Sequence, residues 1–268
     1  MNVKETRLKQ TFEYLAKKGE KALVAFITAG DPDMNSTRNF ISAIEKGGAD
    51  IIELGIPFSD PMADGPTIQA SSERALKNGA TLDKVFTLVE NTRKTSNIPI
   101  VLFGYYNPVF VYGVKRFAKR ASEAGCDGVL IVDLPPEESG ELKKELDAVG
   151  IPLIYLLTPT SGEDRMRIVA KGASGFIYYV SVAGVTGARR SLSNKIAKSV
   201  KKIRKFTDVP IGVGFGISTP EQAREVAAFS DAVIVGSAII NVISSAKDSV
   251  TAAAKVEEFV RGLKQALK

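Results

Sequence analysis

Two carboxylates, Glu53 and Asp64, occupy positions in the sequence that indicate a role in proton transfer. Glu53 interrupts the apolar run from Ile51 to Gly55, where a charge is costly unless it is paired or used. Asp64 follows eleven residues later, in the turn sequence Ala-Asp-Gly-Pro. The spacing predicts a strand carrying one acid and a following loop carrying another. The alternatives are a buried, paired acid for Glu53 and a turn-forming residue for Asp64.

The absence of histidine limits the chemistry further. The chain has 268 residues, no histidine and a single cysteine, Cys126. Imidazole-based triads, histidine-ligated metals and internal disulfides are therefore excluded, and no metal site is predicted. Cys126 is expected to be a small packed side chain. Catalysis must use carboxylates, Lys, Tyr, hydroxyls or backbone groups.

The composition is typical of a soluble globular protein. With 44% hydrophobic and 25% charged residues, we expect one domain over residues 1–268, about the size of an α/β barrel. No apolar run approaches the ~18 residues of a membrane span and no signal pattern begins the chain, which indicates a cytoplasmic protein without membrane contact. The net charge of +6 is well mixed except in Lys198–Lys205. That run has helical apolar spacing and no aromatics, so it indicates a solvated helix face and not a nucleic-acid site.

The elements that must position the two acids alternate along the chain. The predicted strands are Ala22–Thr28, Asp50–Gly55, Ile98–Gly104, Gly128–Asp133, Ile151–Leu157, Gly175–Ser181, Pro210–Gly216 and Ala232–Gly236. The predicted helices are 4–18, Asn35–Lys46, Leu82–Lys94, Val114–Ala124, Pro136–Val149, Asp164–Lys171, Leu192–Phe206, Pro220–Phe229, a short turn at Ala238–Ile240, and Val250–Leu267.

This alternation predicts a parallel sheet covered by helices, because the strands read as continuously apolar. Eight such runs predict an α/β fold, a single (β/α)8 TIM barrel with an extra N-terminal helix. The alternative is a doubly wound sheet. Its dinucleotide-binding form needs Gly-x-Gly-x-x-Gly after a strand, and Gly212–Ile217 has the wrong spacing.

In such a barrel the loops after the strands build the active site. Three successive late strands lead into loops that contain Gly187, Gly216 and the pair Gly236-Ser237. Glycines let backbone N–H groups approach an anion, and a helix start adds aligned donors. These residues are therefore predicted to bind phosphate, although the glycines could instead only permit turns. The small-residue loop at 183–188 is predicted to act as a lid.

Four segments together resemble the tryptophan synthase alpha chain family. They are ELGIPFSDPMADGPTIQ (53–69), AGVTGA (183–188), GFGISTPEQ (214–222) and GSAII (236–240), and their order and spacing cover nearly the whole chain. The resemblance implies retro-aldol cleavage of indole-3-glycerol phosphate to indole and glyceraldehyde 3-phosphate, a lyase step of tryptophan biosynthesis. Met62 replaces an aliphatic residue common in the family motif, and Val182 stands where some members carry Arg.

The residues agree with that reaction. Carbon–carbon cleavage needs a place for the electrons, commonly a Lys Schiff base or a metal, but none of the predicted strands contains Lys. An indole ring protonated at C3 can serve instead. That route requires one carboxyl to move a proton and a second to stabilise charge at the ring nitrogen.

The resemblance assigns these roles residue by residue. It makes Glu53 the acid and base, and Asp64 the acceptor of the indole N–H. The implied substrate contacts are Phe26, Phe103, Leu130, Tyr178, Thr186, Phe215 and Ile234. For the apolar members of this set, ordinary barrel packing is an equal alternative.

The resemblance also implies a partner, the tryptophan synthase beta chain, in an alpha2beta2 tetramer. Pyridoxal phosphate is expected only on that partner, and this chain is expected to need no cofactor. Pro57, Asp60 and Asn107 are expected at the interface, with local turn formation as the alternative. Two other functions stay open, namely another phosphate-binding barrel enzyme, which should show a Lys at a strand end, and an inactive regulatory subunit.

Overall fold

The computed structural model describes residues 6–180, 189–214 and 216–268, without the side chains of 189–192. The strands are β1 (Ala22–Thr28), β2 (Ile51–Gly55), β3 (Ile100–Gly104), β4 (Gly128–Ile131), β5 (Leu153–Ile154), β6 (Leu156–Leu157), β7 (Ile177–Val180), β8 (Ile211–Gly214) and β9 (Ala232–Val235). The helices are α1 (Arg7–Lys18), α2 (Met34–Lys46), α3 (Pro66–Lys77), α4 (Leu82–Arg93), α5 (Tyr106–Tyr112), α6 (Val114–Ala124), α7 (Gly140–Val149), α8 (Glu163–Gly172), α9 (Arg189–Ile203), α10 (Pro220–Ala227), α11 (Ser237–Ser244) and α12 (Ser249–Gln265).

The strands form one parallel sheet that curls on itself. Their order is β5-β4-β3-β2-β1-β9-β8-β7-β6, and the two end strands are separated in the chain by Tyr155 alone. The Tyr155 carbonyl accepts a hydrogen bond from the Tyr178 N–H at 3.0 Å, which continues the ring. The predicted TIM barrel is confirmed, while the expectation of one domain over 1–268 stays a prediction.

The described residues form nine strands instead of the predicted eight because the predicted fifth strand is divided in two. It is split at Tyr155 into β5, which pairs with β4, and β6, which pairs with β7. The pairing partner changes at this residue, so the two halves count as separate strands. The Tyr155 hydroxyl lies 2.7 Å from the Ser139 hydroxyl, on the side of the covering helices.

Strand alternation decides which side chains enter the barrel. Val24 on β1 and Ile51 on β2 belong to an inner apolar cluster, and successive side chains of a strand face opposite sides. Phe26 and Glu53, each two positions further on, therefore also face inward. The two are direct neighbours in the β1–β2 register.

The predicted N-terminal helix is confirmed and closes the amino end of the barrel. Leu8, Phe12 and Leu15 of α1 are buried with the inner cluster, and the rings of Phe12 and Phe176 are 5.9 Å apart. Arg7 adds an ion pair of 2.8 Å with the buried Asp127. Because this end is filled by side chains, a ligand reaches the barrel interior from the other end.

Two helices were not predicted. In α3, Gly65 is the N-cap and Pro66 is the first helical residue, a position that proline favours. Its core-facing side consists of Ser71, Ser72 and Ala75, too polar to show an apolar period. The short α5 directly follows β3. No helix among the described residues is long and apolar enough to cross a membrane.

Candidate active site

A cavity of about 310 Å³ opens at the carboxyl end of the strands. Eight predicted site residues line it, together with seven others. The predicted ones are Phe26, Glu53, Phe103, Tyr178, Gly216, Ile234, Gly236 and Ser237, and the others are Ile68, Val180, Gly214, Ile217, Ser218, Ala238 and Asn241. The cavity combines an apolar floor with a polar rim, as sites for small ligands commonly do.

Glu53 is buried without a hydrogen-bond partner. Its side chain is 0% exposed, and both carboxyl oxygens lack a partner among the described residues. Burial raises the pKa of Glu53 from 4.5 to about 8, because the charged form has lost its water. The carboxyl is therefore mostly protonated at neutral pH and can both donate and accept a proton near that pH.

The aromatic ring of Phe26 lies against the next inward position of β2. A side chain at Gly55 would put its Cβ only 2.7 Å from Phe26 Cζ, so glycine leaves the space that the ring occupies. The ring also meets Phe103 edge-on, with centroids 5.2 Å apart and planes at 75°. These two rings form an apolar wall beside the Glu53 carboxyl, which strengthens its desolvation.

Asp64 is held in its turn by a residue that the sequence reasoning missed. The Tyr105 hydroxyl donates to Asp64 Oδ2 at 3.0 Å and accepts from the Ala63 N–H at 3.0 Å. Burial raises the pKa of Asp64, and the hydrogen bond from Tyr105 opposes that rise. The only signal for Tyr105 in the sequence is its place directly after β3, at the rim of the barrel.

Tyr178 connects the two acids electrostatically. Its pKa is raised well above the ordinary value, first by burial and then by the nearby charges of Glu53 and Asp64. Both carboxyls are therefore close enough to the phenol to affect it, and the phenol stays a neutral hydrogen-bond donor. Asp64 itself is not among the residues that line the cavity, whereas Ile68, in the first turn of the following α3, is.

The polar rim is built where α11 begins. Gly236 is the N-cap of α11 and makes no side-chain capping bond, and its carbonyl accepts from the N–H groups of Ile239 and Ile240. Gly216, on the loop after β8, has a φ of 54°, which favours glycine. The start of α11 thus presents backbone donors and the positive end of a helix to the cavity.

The structure leaves four further predicted site residues to account for besides Asp64. Thr186, Gly187 and Phe215 lie outside the described residues. Leu130 is fully buried in the inner cluster, where it pairs in register with Phe103, and is not among the lining residues. A larger, more open depression of about 540 Å³ lies at the amino end of the barrel. Its carboxylate Asp50 already accepts a hydrogen bond from Lys264 at 2.8 Å, so Asp50 has a structural partner.

Comparison with known proteins assigns the chain to a family. A family model described as tryptophan synthase alpha chain matches residues 12–268. The chain belongs to the tryptophan synthase alpha chain family. The alpha chain of Geotalea uraniireducens (strain Rf4) is 60% identical over 235 residues, which cover 88% of each protein.

Solved structures agree with this assignment. The crystal structure of tryptophan synthase subunit alpha from Legionella pneumophila str. Paris has a TM-score of 0.90 and 40% identity, covering 98% of each chain. A chain from the tryptophan synthase complex of Pyrococcus furiosus has a TM-score of 0.82 and 35% identity, covering 91% of this chain and 98% of that one. Membership confirms the predicted lyase activity, cleavage of indole-3-glycerol phosphate in tryptophan biosynthesis.

Proposed function

We propose that Glu53 and Asp64 carry out this cleavage as a proton-shuttle and charge-stabilising pair. Protonated Glu53 gives its proton to C3 of the indole ring, and the resulting positive charge spreads to the ring nitrogen. Asp64 accepts a hydrogen bond from that N–H and stabilises the cation. Glu53, now a carboxylate, takes the proton of the side-chain hydroxyl next to the ring as the carbon–carbon bond breaks.

The step balances without an added reactant. The electrons of the broken bond return to the indole ring, the hydroxyl carbon becomes the aldehyde of glyceraldehyde 3-phosphate, and Glu53 ends protonated as it began. This proposal is supported by the buried Glu53 carboxyl at the cavity wall, whose two oxygens have no hydrogen-bond partner in the described part of the chain. A buried carboxyl without hydrogen bonds costs free energy of folding, so its presence indicates that a ligand or a reaction uses it.

The cavity chemistry suits the two halves of the substrate. Phe26, Phe103 and Ile234 provide apolar surface for indole, and the rim at Gly216, Gly236 and Ser237 provides donors for phosphate. Leu130 and Phe215 complete the proposed indole contacts, Tyr178 and Thr186 the polar contacts, and Gly187 the phosphate contacts. None of these requires a cofactor, so we propose that the chain acts without one.

Replacing Glu53 by Gln tests the proposal. The amide keeps the shape but cannot transfer a proton, so indole release should fall by about 10³-fold or more. Glu90→Gln, on the outer helix α4, is the matched control and should keep the parent rate. A folded Glu53→Gln protein with near-parent turnover would end the proposal.

We also propose that the chain assembles with a tryptophan synthase beta chain, which holds pyridoxal phosphate, as an alpha2beta2 tetramer. Pro57, Asp60 and Asn107 lie on the loops or helix that follow β2 and β3. Two large apolar side chains at the same end, Met62 and Val111, are 93% and 76% exposed. Exposed apolar residues near one another are typical of an interaction surface.

Val111→Asp should weaken beta-chain binding measured by calorimetry, since it places a charge in the proposed contact. Val250→Asp is the control, because Val250 is 79% exposed at the start of α12. Sedimentation of the mixed chains would give the stoichiometry.

Indole release by the chain alone and with a beta chain separates the lyase from an inactive regulatory subunit. Such a subunit would bind the beta chain but never release indole.

A further inference from the structure

The phosphate rim is lined by uncharged hydrogen-bond donors. Among the described residues that line the cavity, none is Lys or Arg. Among these described lining residues, a phosphate dianion bound there, as the proposed function requires, meets neutral N–H and O–H groups and the helix dipole. Each uncharged side-chain donor on this wall therefore matters for the recognition of the phosphoryl group.

Asn241 is such a donor. Helix α11 buries Ile239, Ile240 and Ile243 in the core, while Ser237 and Asn241 line the cavity. Residues four apart lie on one face of a helix, so the Asn241 amide stands one turn beyond Ser237 along the same wall. Asn241 lies on the exposed side of α11, so its side-chain amide is accessible from the cavity.

A second observation shows that this cavity is built for a polar ligand. Glu53, fully buried and without a partner among the described residues, lies in its wall as well. The site therefore offers a proton-transfer group at one end and neutral donors at the other. Asn241 belongs to the donor end, together with Ser218 and Ala238.

We propose that the Asn241 side-chain amide donates a hydrogen bond to the phosphoryl group of the substrate and contributes to the selectivity for phosphorylated ligands. This assignment rests on the proposed function and extends its phosphate site by one residue. A neutral amide fits a dianion without introducing a cation, which would also attract the Glu53 carboxylate.

Two variants and a control test the assignment. Asn241→Ala removes the donor, and Asn241→Asp replaces it with an anion of the same size. Asn91→Asp makes the same charge change on α4. Affinities for indole-3-propanol phosphate and for unphosphorylated indole-3-propanol are measured by calorimetry, with thermal unfolding as the check on folding.

We expect Asn241→Ala to weaken binding of the phosphorylated ligand by about 5- to 10-fold, and Asn241→Asp to weaken it further through repulsion. Neither change should alter binding of indole-3-propanol, and Asn91→Asp should bind both ligands like the parent. In the lyase assay KM should rise with little change in kcat.

Parent-like binding of the phosphorylated ligand by both variants, or equal loss for both ligands, would overturn the role of Asn241. If the parent protein itself bound the two ligands equally, the phosphate site would fail, and Asn241 with it. The Glu53→Gln assay is independent of these measurements, because it tests proton transfer and not phosphate recognition.

Discussion

At the scale of single residues, the burial of Glu53 links activity to pH. In the proposed mechanism the reaction begins with a protonated Glu53 carboxyl, and the pKa of Glu53 is raised to about 8. We therefore expect kcat/KM to decrease above pH 8, by about tenfold per pH unit, since kcat/KM reports groups of the free enzyme. A rate that stays level to pH 10 would show that protonated Glu53 is not required.

The same group should make stability depend on pH. A carboxyl whose pKa is higher in the folded than in the unfolded state binds more protons when folded, so it destabilises the fold as pH rises from about 4.5 to about 8. The expected slope is about 1.4 kcal/mol per pH unit in that window. Glu53→Gln should remove the slope, as urea unfolding at several pH values would measure. An unchanged slope in the variant would assign the dependence to other groups.

Tyr105 influences the pKa and the position of the second acid, Asp64. Tyr105→Phe removes the hydrogen bond to Asp64 Oδ2, so the Asp64 pKa should rise further and its turn should be less ordered. We expect kcat/KM to fall by about tenfold, the value of roughly one hydrogen bond to a charged group. Tyr112→Phe is the control, because it removes a similar bond to Asp83 on the outer surface. Equal effects of the two changes would argue against a specific role.

At the scale of elements, α3 holds the Asp64 turn in place through a buried carboxylate. Asp31 accepts from Arg74 Nε at 2.8 Å, from Arg74 Nη2 at 2.7 Å and from the Ser71 hydroxyl at 2.6 Å. Arg74 and Ser71 belong to α3, whereas Asp31 follows β1. This contact fixes α3, and therefore Ile68 and the Asp64 turn, against the barrel.

Arg74→Met should leave Asp31 buried with only the Ser71 bond. Because the Arg74 side chain is 40% exposed, we expect a loss of about 2 kcal/mol rather than the full cost of a buried pair. Lys77→Met removes an exposed ion pair from the same helix and should change stability by less than about 0.5 kcal/mol. Urea unfolding compares the two variants, and similar values for both would contradict the anchoring role of Asp31.

At the scale of the whole molecule, Lys264 joins the last helix to the first strands. Its Nζ donates to Asp50 Oδ2 at 2.8 Å and to the Lys21 carbonyl at 3.1 Å, and its side chain is 9% exposed. Burial raises the pKa of Asp50 and Lys264 lowers it, so the ion pair offsets part of the cost of burying the Asp50 carboxylate. The ion pair spans 214 positions of the sequence and the hydrogen bond to the Lys21 carbonyl spans 243, so Lys264 helps close the barrel between its ends.

Lys264→Met should cost about 3 kcal/mol, because Asp50 loses its cation in a buried place. The thermal midpoint should fall by about 6–12 °C, and less at low pH, where Asp50 is protonated. Lys255→Met, at an exposed position of α12, is the control. A midpoint within 1 °C of the parent would show that the packing of α12 alone closes the barrel.

The sequence by itself determined the order of the barrel, because its strands are apolar on both sides and read as continuous runs. Val114–Ala124 and Ala22–Thr28 have the predicted boundaries, and Glu53 stands out as a charge in such a run. The four family motifs likewise fixed the reaction. Those features depend on residues close together in the chain, where local periodicity and turn chemistry are informative.

Only the tertiary structure decided which distant residues meet. Tyr105 reaches Asp64 across 41 positions, and Asn241 enters the cavity wall because α11 turns its isoleucines to the core. The split of the fifth strand at Tyr155 likewise follows from ring closure, where one strand must pair on two sides in turn. Burial too is a property of the assembled barrel, and burial is what raises the pKa of Glu53.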